Sequence, residues 1–279
     1  MISALLWITM GLLTIASLST LPILRKRSLL IASLAWALYG IYWLTQPAKY
    51  LSAEYEDAFN AALTFSGAVF CFGIAYFSFS AYARRENDEN LLTATKVAAL
   101  GGVYYFMFAE IEPLNLWLRS AVADQTVWLL NALAIPAIKL DPIHIYLQNR
   151  IVEIILACTA IESMALFAGL TLCVNAPWRR RALSFLISVP VIYVLNLFRN
   201  AFVILAYGYG WFGSAEESFY IAHHVISKFA ALALLILIAY YVFRILPELL
   251  EFISGLIDMF VIPVQKLARG GGGGAPGKR

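Results

Sequence analysis

Three kinds of reactive side chain interrupt apolar, membrane-length runs in the C-terminal half of the sequence. Cys158 lies in the first of these runs, Arg199 in the second, and the His223-His224 pair at the start of the third. A charged side chain in the hydrocarbon core of a bilayer costs at least ~2.5 kcal/mol, so such residues usually mark a functional site. A thiol, a guanidinium and an imidazole together suggest a nucleophilic active site built within a membrane.

The chemistry of the three groups is complementary. The thiolate is the nucleophilic form of cysteine, and apolar surroundings disfavour it, so Cys158 needs a base or a cation nearby. His224 can accept the thiol proton and return it to a leaving amine. The fork of donors on Arg199 suits a tetrahedral oxyanion, a substrate carboxylate or a lipid phosphate. The predicted catalytic residues are therefore Cys158, Arg199 and His224.

Four further polar residues are candidates for supporting roles: His223, Glu162, Asn196 and Asn200. The glutamate follows Cys158 by four residues, which would place both on one face of a continuous helix. The two asparagines flank Arg199 and are expected to orient it, and the first histidine is an alternative to the second as the base. Each group also has a purely structural interpretation, because buried cysteines commonly serve in packing and arginines extend to membrane interfaces.

The composition assigns the chain to the polytopic membrane proteins. It is 62% hydrophobic and 13% charged, with a mean hydropathy of +0.77, whereas soluble domains average about 45–50% apolar and about 25% charged residues. The net charge of +3 is too small to indicate nucleic-acid binding. Cys71, Cys158 and Cys173 form neither a disulfide framework nor a metal motif. The sequence therefore predicts no metal site and no cofactor, and it predicts that Cys71 and Cys173 are packing residues.

The apolar runs predict an all-α bundle of about seven transmembrane helices. A span needs about 20 mainly apolar residues, and the qualifying segments are 2–23, 28–46, 60–82, 95–111, 151–174, 182–206 and 222–243. Basic residues follow the odd-numbered spans, which the positive-inside bias assigns to the cytoplasm. The clusters comprise Arg25, Lys26, Arg27, Arg84, Arg85, Lys96, Arg179–Arg181 and Arg244. The N-terminus is then outside, and the C-terminus is cytoplasmic.

This topology places the three reactive groups at similar depth on the outer side. At about 1.5 Å per residue, Cys158 lies roughly 10 Å below the outer end of the fifth helix. Arg199 lies roughly 25 Å from the inner end of the sixth helix, in the outer part of a ~30 Å core. The two histidines enter the seventh helix from outside. We therefore expect an active site that faces the outer side of the cell membrane.

Three segments outside the spans have separate interpretations. Residues 113–150 contain the short apolar stretch 126–138 with Pro136, and we interpret them as an interfacial or re-entrant segment on the outer face. Residues 247–269 are amphipathic and are predicted to lie along the inner interface. Residues 270–279 are Gly-rich and are predicted to form a flexible tail. Residues 1–246 are then one integral membrane domain, with the catalytic blocks in 150–245.

Three sequence blocks carry a resemblance to a known family. They are Ala157-Cys158-Thr159-Ala160-Ile161-Glu162-Ser163-Met164-Ala165-Leu166-Phe167-Ala168-Gly169, Asn196-Leu197-Phe198-Arg199-Asn200-Ala201-Phe202-Val203-Ile204 and His223-His224-Val225-Ile226. The sequence resembles the exosortase/archaeosortase family, which implies a cysteine-dependent, transpeptidase-like membrane enzyme. The resemblance maps Cys158 to the nucleophile, Arg199 to the invariant arginine and His224 to the third position, although His223 blurs that register. Ala160 stands where the family usually has glycine.

The resemblance also implies the substrates. Enzymes of this family recognise exported proteins that carry a C-terminal tripartite sorting signal: a short motif, a transmembrane helix and a basic cluster. In the archaeosortase branch the short motif is Pro-Gly-Phe. Processing there is linked to replacement of the C-terminal helix by a prenyl-derived lipid anchor, which makes a prenyl-type lipid a candidate acceptor. The expected partners are thus surface proteins of archaea and membrane lipids.

Two other function classes have weaker support in the sequence. A multipass transporter with an intramembrane charged site is the main alternative, but transporters usually show paired repeats or broken helices, and no convincing halves are found. An intramembrane protease of another mechanism would show His-Glu-x-x-His or Gly-x-Ser-x-Gly, and neither motif is present.

Overall fold

The computed structural model describes residues 2–18, 27–52 and 58–270. Arg25, Lys26 and the predicted flexible tail after Gly270 lie outside the described residues. The helices are α1 (Ile2–Ser17), α2 (Ser28–Leu44), α3 (Gln46–Tyr50), α4 (Ala58–Ala83), α5 (Glu89–Glu110), α6 (Glu112–Ala132), α7 (Ile161–Cys173), α8 (Trp178–Tyr209), α9 (Ala215–Phe219), α10 (Ser227–Ile245) and α11 (Pro247–Gly270). The strands are β1 (Ile138–Lys139), β2 (His144–Leu147) and β3 (Arg150–Glu153).

The prediction of a helical membrane protein is confirmed, whereas the count of seven spans is not. Within the described residues, five helical stretches are long and apolar enough to cross a membrane. They are Ser28–Tyr50, Ala58–Ala83, Glu89–Glu110, Trp178–Tyr209 and Ala215–Ile245. Two shorter apolar helices, Ser3–Ser17 and Ile161–Cys173, fall at the predicted first and fifth spans. Both are shorter than the ~20 residues that a helix needs to cross the hydrocarbon core.

The chain divides into two compact units. The first comprises Met1–Ala99 with Glu248–Arg279, and the second comprises Leu100–Pro247. In the first unit, the amphipathic helix α11 packs Phe260 against α4, where the ring lies between Phe70 and Phe77 at centroid distances of 5.3 and 5.2 Å. Gly73 makes room for that ring, because a Cβ there would lie 2.3 Å from a ring carbon of Phe260. Part of the apolar face of α11 is therefore buried by protein.

The second unit contains a three-stranded antiparallel sheet, so the all-α prediction is wrong at residues 138–153. Gln148 and Asn149 join β2 to β3 with φ values of 51° and 59°. Two consecutive left-handed residues are typical of the tight turn that matches the twist of a hairpin. The segment predicted as interfacial or re-entrant thus consists of α6 followed by strands, and α6 is not among the helices apolar enough to cross.

The predicted continuous helix over 151–174 is also wrong. The chain passes from β3 into a single 3₁₀ turn at Leu156–Thr159, and α7 begins only at Ile161. Between them Ala160 adopts a left-handed conformation with φ 59° and ψ 15°, which no helix continues through. The β-branched residues at the start of this stretch favour a strand, and pairing with β2 stabilises that choice.

The remaining site residues come from two long helical stretches. Helix α8 has 32 residues, a length of about 48 Å at 1.5 Å per residue. After it, α9 begins with a capping box between Ser214 and Glu217. Residues Tyr220–Ile226 then form a π-helical segment that leads into α10. Such segments are rare and frequently occur at functional sites, and this one contains both histidines.

Candidate active site

Cys158 lies in the 3₁₀ turn, and two amide side chains from α8 hold its main chain. The Cys158 carbonyl oxygen accepts a hydrogen bond from Asn196 Nδ2 at 2.6 Å and another from Asn200 Nδ2 at 2.9 Å. Both asparagines are buried, with 7% and 5% of their surface exposed. A partly buried carbonyl at an irregular turn needs such donors, because its desolvation is otherwise unfavourable. The two amides therefore fix the turn that carries the thiol to α8.

Two of the expected supporting contacts are replaced by others. The asparagines were expected to orient Arg199, but their amide groups bond to Cys158 instead. Glu162 was expected on the same helix face as Cys158, but the left-handed Ala160 separates the turn from α7. The depth calculated for Cys158 along a continuous helix fails for the same reason. The thiol is held by a turn, not by a helix face.

Arg199 contacts His223 rather than His224. Its Nη2 lies 3.2 Å from Nε2 of His223, and a guanidinium has only donors to offer. Nε2 therefore accepts the bond, which places the ring proton on Nδ1 and makes this imidazole the neutral form. Phe219 stacks on His223 with a centroid distance of 5.1 Å and an interplanar angle of 8°. Nδ1 is buried and has no hydrogen-bond partner among the described residues.

One cavity brings the thiol and both imidazoles together. It has a volume of about 760 Å³ and is lined by Cys158, Asn200, His223 and His224, with β3 along one wall. Tyr207, Phe219 and Tyr220 also line it. A nucleophile and two candidate bases thus line one cavity, as covalent catalysis requires.

Three predicted site residues line a second cavity. Arg199, Asn196 and Glu162 border a space of about 440 Å³, with Lys228 and apolar side chains of α8 and α10. Arg199 thus reaches the first cavity through His223, which lines it. The structure brings Cys158, Asn196, Asn200, Arg199 and the two histidines into one connected group, and it leaves Glu162 at its margin.

The family model described as transmembrane exosortase matches residues 1–241. The chain belongs to the transmembrane exosortase family. Two curated relatives carry the name archaeosortase A. The protein from Natronomonas pharaonis is 26% identical over 259 residues, which cover 83% of this chain and 80% of the relative. The protein from Haloferax volcanii is 27% identical over 258 residues, with 81% and 83% covered.

No solved structure matches this exosortase-family chain. Membership in the family implies a multi-pass membrane protein that processes C-terminal sorting signals. The three residue blocks on which the resemblance was based, at 157–169, 196–204 and 223–226, all lie within the matched region.

The exosortase-family site also uses residues that sequence reasoning missed. Arg119 of α6 donates to the Ile154 carbonyl through Nε at 2.7 Å and to Glu153 Oε1 through Nη2 at 2.6 Å. The guanidinium of Arg150 donates to the Tyr207 carbonyl and lies 5.0 Å from the centre of the Tyr207 ring. These bonds attach the sheet to α6 and α8. The bonded residues are 34 and 57 positions apart in the sequence. No local sequence pattern indicates such pairs, so only the fold reveals these two bonds.

Cys71, Cys173 and His144 line neither of the two cavities. Cys71 is buried in α4 of the first unit, and Cys173 ends α7. His144 lies in β2, where its Nδ1 is 2.7 Å from Asp141 Oδ2. The pKa of Asp141 is lowered below its usual value chiefly by the hydrogen bond from the main-chain N–H of Ile143, and further by the bonds from His144. Within the part of the chain that the structure describes, no three His, Cys, Asp or Glu side chains group as metal ligands.

Proposed function

We propose that this exosortase-family protein is a membrane cysteine peptidase or transpeptidase that cleaves the C-terminal sorting signals of exported proteins. One observation carries the proposal above the others. Cys158 and the two histidines line the same cavity, and Asn196 and Asn200 fix the cysteine turn within it. A transporter needs no thiol there, whereas acyl transfer needs a nucleophile beside a base.

The reaction begins with transfer of the Cys158 thiol proton to His224. The thiolate attacks the carbonyl carbon of the scissile peptide bond and forms a tetrahedral oxyanion. His224 then returns the proton to the leaving amine, and the bond breaks to leave a thioester on Cys158. An acceptor with an amine or hydroxyl group attacks the thioester and restores the thiol. Among the described residues, His224 has no hydrogen bond to Arg199, so its ring is available for proton transfer.

Arg199 and His223 have a different role in this proposal. The permanent charge of Arg199 stabilises the oxyanion, and removal of one oxyanion donor typically costs about 2.7–4 kcal/mol. His223 holds the guanidinium through Nε2 while Phe219 holds the imidazole by stacking. The histidine pair thus divides into one ring that positions the cation and one ring that moves the proton.

The substrate proposal extends to the motif and the acceptor. Two relatives carry the name archaeosortase A, and the resemblance to that branch of the family implies a signal of the Pro-Gly-Phe type, followed by a transmembrane helix and a basic cluster. A cleavage site next to that helix lies at the membrane surface, where a mainly apolar cavity limits attack by water. Transfer to a prenyl-type lipid would then replace the helix as the membrane anchor.

The test is cleavage of a synthetic sorting-signal peptide by the purified protein in lipid vesicles. Cys158→Ala eliminates product, whereas Cys173→Ala, a change to a thiol outside the cavity, retains it. His224→Ala loses more activity than His223→Ala, because only the former removes the proton carrier. Wild-type turnover by a folded Cys158→Ala protein would overturn the thiol mechanism. A transporter would instead keep its transport activity after Cys158→Ser.

The proposed topology places the site on the outer face, with the N-terminus outside and the C-terminus in the cytoplasm. Its support is the distribution of basic residues over the seven predicted spans, which places Arg84, Arg85 and Arg179–Arg181 on one side when the segment 151–174 completes a crossing. The amphipathic residues 247–269 are proposed to lie at the inner interface and 270–279 to extend from it. A membrane-impermeant thiol reagent applied outside should not label cysteines introduced at 179–181. Labelling there would reverse the assignment.

A further inference from the structure

The outer edge of β3 has no role in the mechanism above. The strand order β1-β2-β3 leaves β3 with one neighbouring strand. The Ile154 N–H donates to the Ile143 carbonyl at 2.8 Å, and this bond shows which residues of β3 are hydrogen-bonded to β2. Hydrogen-bonded pairs alternate along an antiparallel ladder. The main-chain groups of Val152 therefore point toward β2, and those of Ile151 and Glu153 point away from it.

These outward groups are unpaired. Among the described residues, neither the N–H nor the carbonyl of Ile151 or Glu153 has a main-chain or side-chain partner. An exposed row of unpaired strand groups is a template on which another extended chain can pair. Two such residues, spaced by two positions, offer donors and acceptors at about 7 Å intervals, the repeat of a strand.

The cavity that contains Cys158 runs along this edge. Side chains of a strand alternate between the two faces of a sheet, so a cavity over one face contacts every second residue. Here three consecutive residues of β3, Ile151, Val152 and Glu153, line the cavity with Cys158, and so do the two residues that follow the strand. The free edge, rather than one face of the sheet, is therefore exposed to the space in which the thiol and histidines lie.

We propose that the cleavage motif of the substrate binds in extended form as an additional strand on the edge of β3. The inference rests on the proposed function, which supplies a peptide as the substrate. The edge leads directly into the Cys158 turn, five residues after Glu153, so strand pairing sets the scissile bond in register with the thiol. Main-chain bonds provide affinity in this binding mode, and alternate side chains provide specificity. A proline in the motif fits where its missing N–H would point away from β3.

Two arginines keep the edge in place before the substrate arrives. Arg119 bonds to the Ile154 carbonyl and to Glu153, and Arg150 bonds to the Tyr207 carbonyl at the end of α8. A strand that is already ordered needs no further loss of backbone entropy on binding. The docking edge and the Cys158 turn are both anchored on α8.

The first experiment uses a series of sorting-signal peptides, each with one main-chain N-methyl group around the Pro-Gly-Phe motif. N-methylation removes a donor without changing the side chain. The proposal predicts an alternating profile, with kcat/KM lowered roughly tenfold at every second position, as loss of one hydrogen bond gives. A profile without this period of two overturns the strand-addition proposal.

The second experiment removes the matching donor from the enzyme. Ile151→Pro should raise KM and lower kcat/KM roughly tenfold relative to Ile151→Val, which has an apolar side chain and keeps the N–H. Alkylation of Cys158 by iodoacetamide reports whether the site is intact, and it should be unchanged. A folded Ile151→Pro protein with wild-type kcat/KM overturns the proposal, and if the variant misfolds, the peptide profile decides. Full cleavage by Cys158→Ala would instead overturn the proposed function.

Discussion

Two segments of similar hydropathy, 151–174 and 182–206, fold in different ways. The second lies within a single helix, Trp178–Tyr209, while the first contains the last residues of a strand, a 3₁₀ turn and a helix of 13 residues. The difference lies in what precedes and interrupts them. The first follows a hairpin turn and contains the left-handed Ala160, whereas α8 continues through Pro190. An apolar run thus fixes burial but not the backbone conformation.

The comparison also shows how an irregular segment is stabilised in an apolar environment. A helix satisfies its own main-chain groups, but the Cys158 turn depends on donors from elsewhere. Asn196 and Asn200, one turn apart on α8, provide them. Helix α8 therefore supplies the side chains that stabilise the Cys158 turn, and bonds between residues distant in the sequence position the thiol.

The largest expected effect is the loss of these two donors. Asn196→Ala with Asn200→Ala leaves the Cys158 carbonyl unpaired, at a cost of about 1–3 kcal/mol for the unsatisfied group, and it should abolish cleavage. The control on the same helix is Ser188→Ala, because the Ser188 hydroxyl bonds to the Ser184 carbonyl of its own helix. For both variants, stability is measured by thermal unfolding in detergent and activity by peptide cleavage. If the two variants behave alike, the turn does not depend on α8.

The next effect concerns the contact between the hairpin and α8. A Cβ on Gly208 would lie 2.9 Å from Cδ2 of the buried Leu147, so Gly208→Ala should lower the free energy of unfolding by about 1–3 kcal/mol through overpacking. Gly67→Ala is the matched change, since nothing lies within 4 Å of its Cβ position. It should be neutral or stabilise α4 by up to about 1 kcal/mol. Stabilisation by both substitutions would show that the hairpin does not press against α8.

A smaller effect is expected when glycine replaces Ala160 or Ala168, and its sign should differ between the two positions. Ala160 has φ 59°, where glycine is more favourable than alanine, so Ala160→Gly should be neutral or stabilise by up to about 1 kcal/mol. Ala168 is buried within α7, and Ala168→Gly should destabilise by about 1 kcal/mol or more. Changes of opposite sign in the free energy of unfolding, measured by chemical denaturation, would confirm that the helix is interrupted at Ala160. Equal losses would support one continuous helix instead.

The smallest expected effect is the pH response of the hairpin region. Since the pKa of Asp141 is lowered in the folded protein, its contribution to stability is present above the ordinary value of 3.8 and is lost as the pH falls through the folded pKa. The Ile143 and His144 amides should therefore exchange hydrogen faster, relative to their intrinsic rates, once the pH falls below the folded pKa of Asp141. Asp141→Asn should remove the pH dependence. A wild-type profile that stays flat in this range contradicts the assignment.

The sequence predicted the parts of the molecule that depend on local pattern. Helices α2, α4 and α8 follow from long apolar runs, and Cys158, Arg199 and the histidines stand out because polar groups are rare in such runs. The sheet was missed because its strands are two to four residues long. The role of Asn196 and Asn200 was missed because a bond to residue 158 spans about 40 positions and has no local signature.

Mass spectrometry of the protein trapped with a sorting-signal peptide tests the central claim most directly. The account predicts a thioester between the N-terminal part of the peptide and Cys158, which hydroxylamine releases and Cys158→Ser prevents. The adduct should accumulate when acceptor is withheld. Product formation with no acyl group on Cys158, or an adduct on Cys71 or Cys173 instead, would contradict the account.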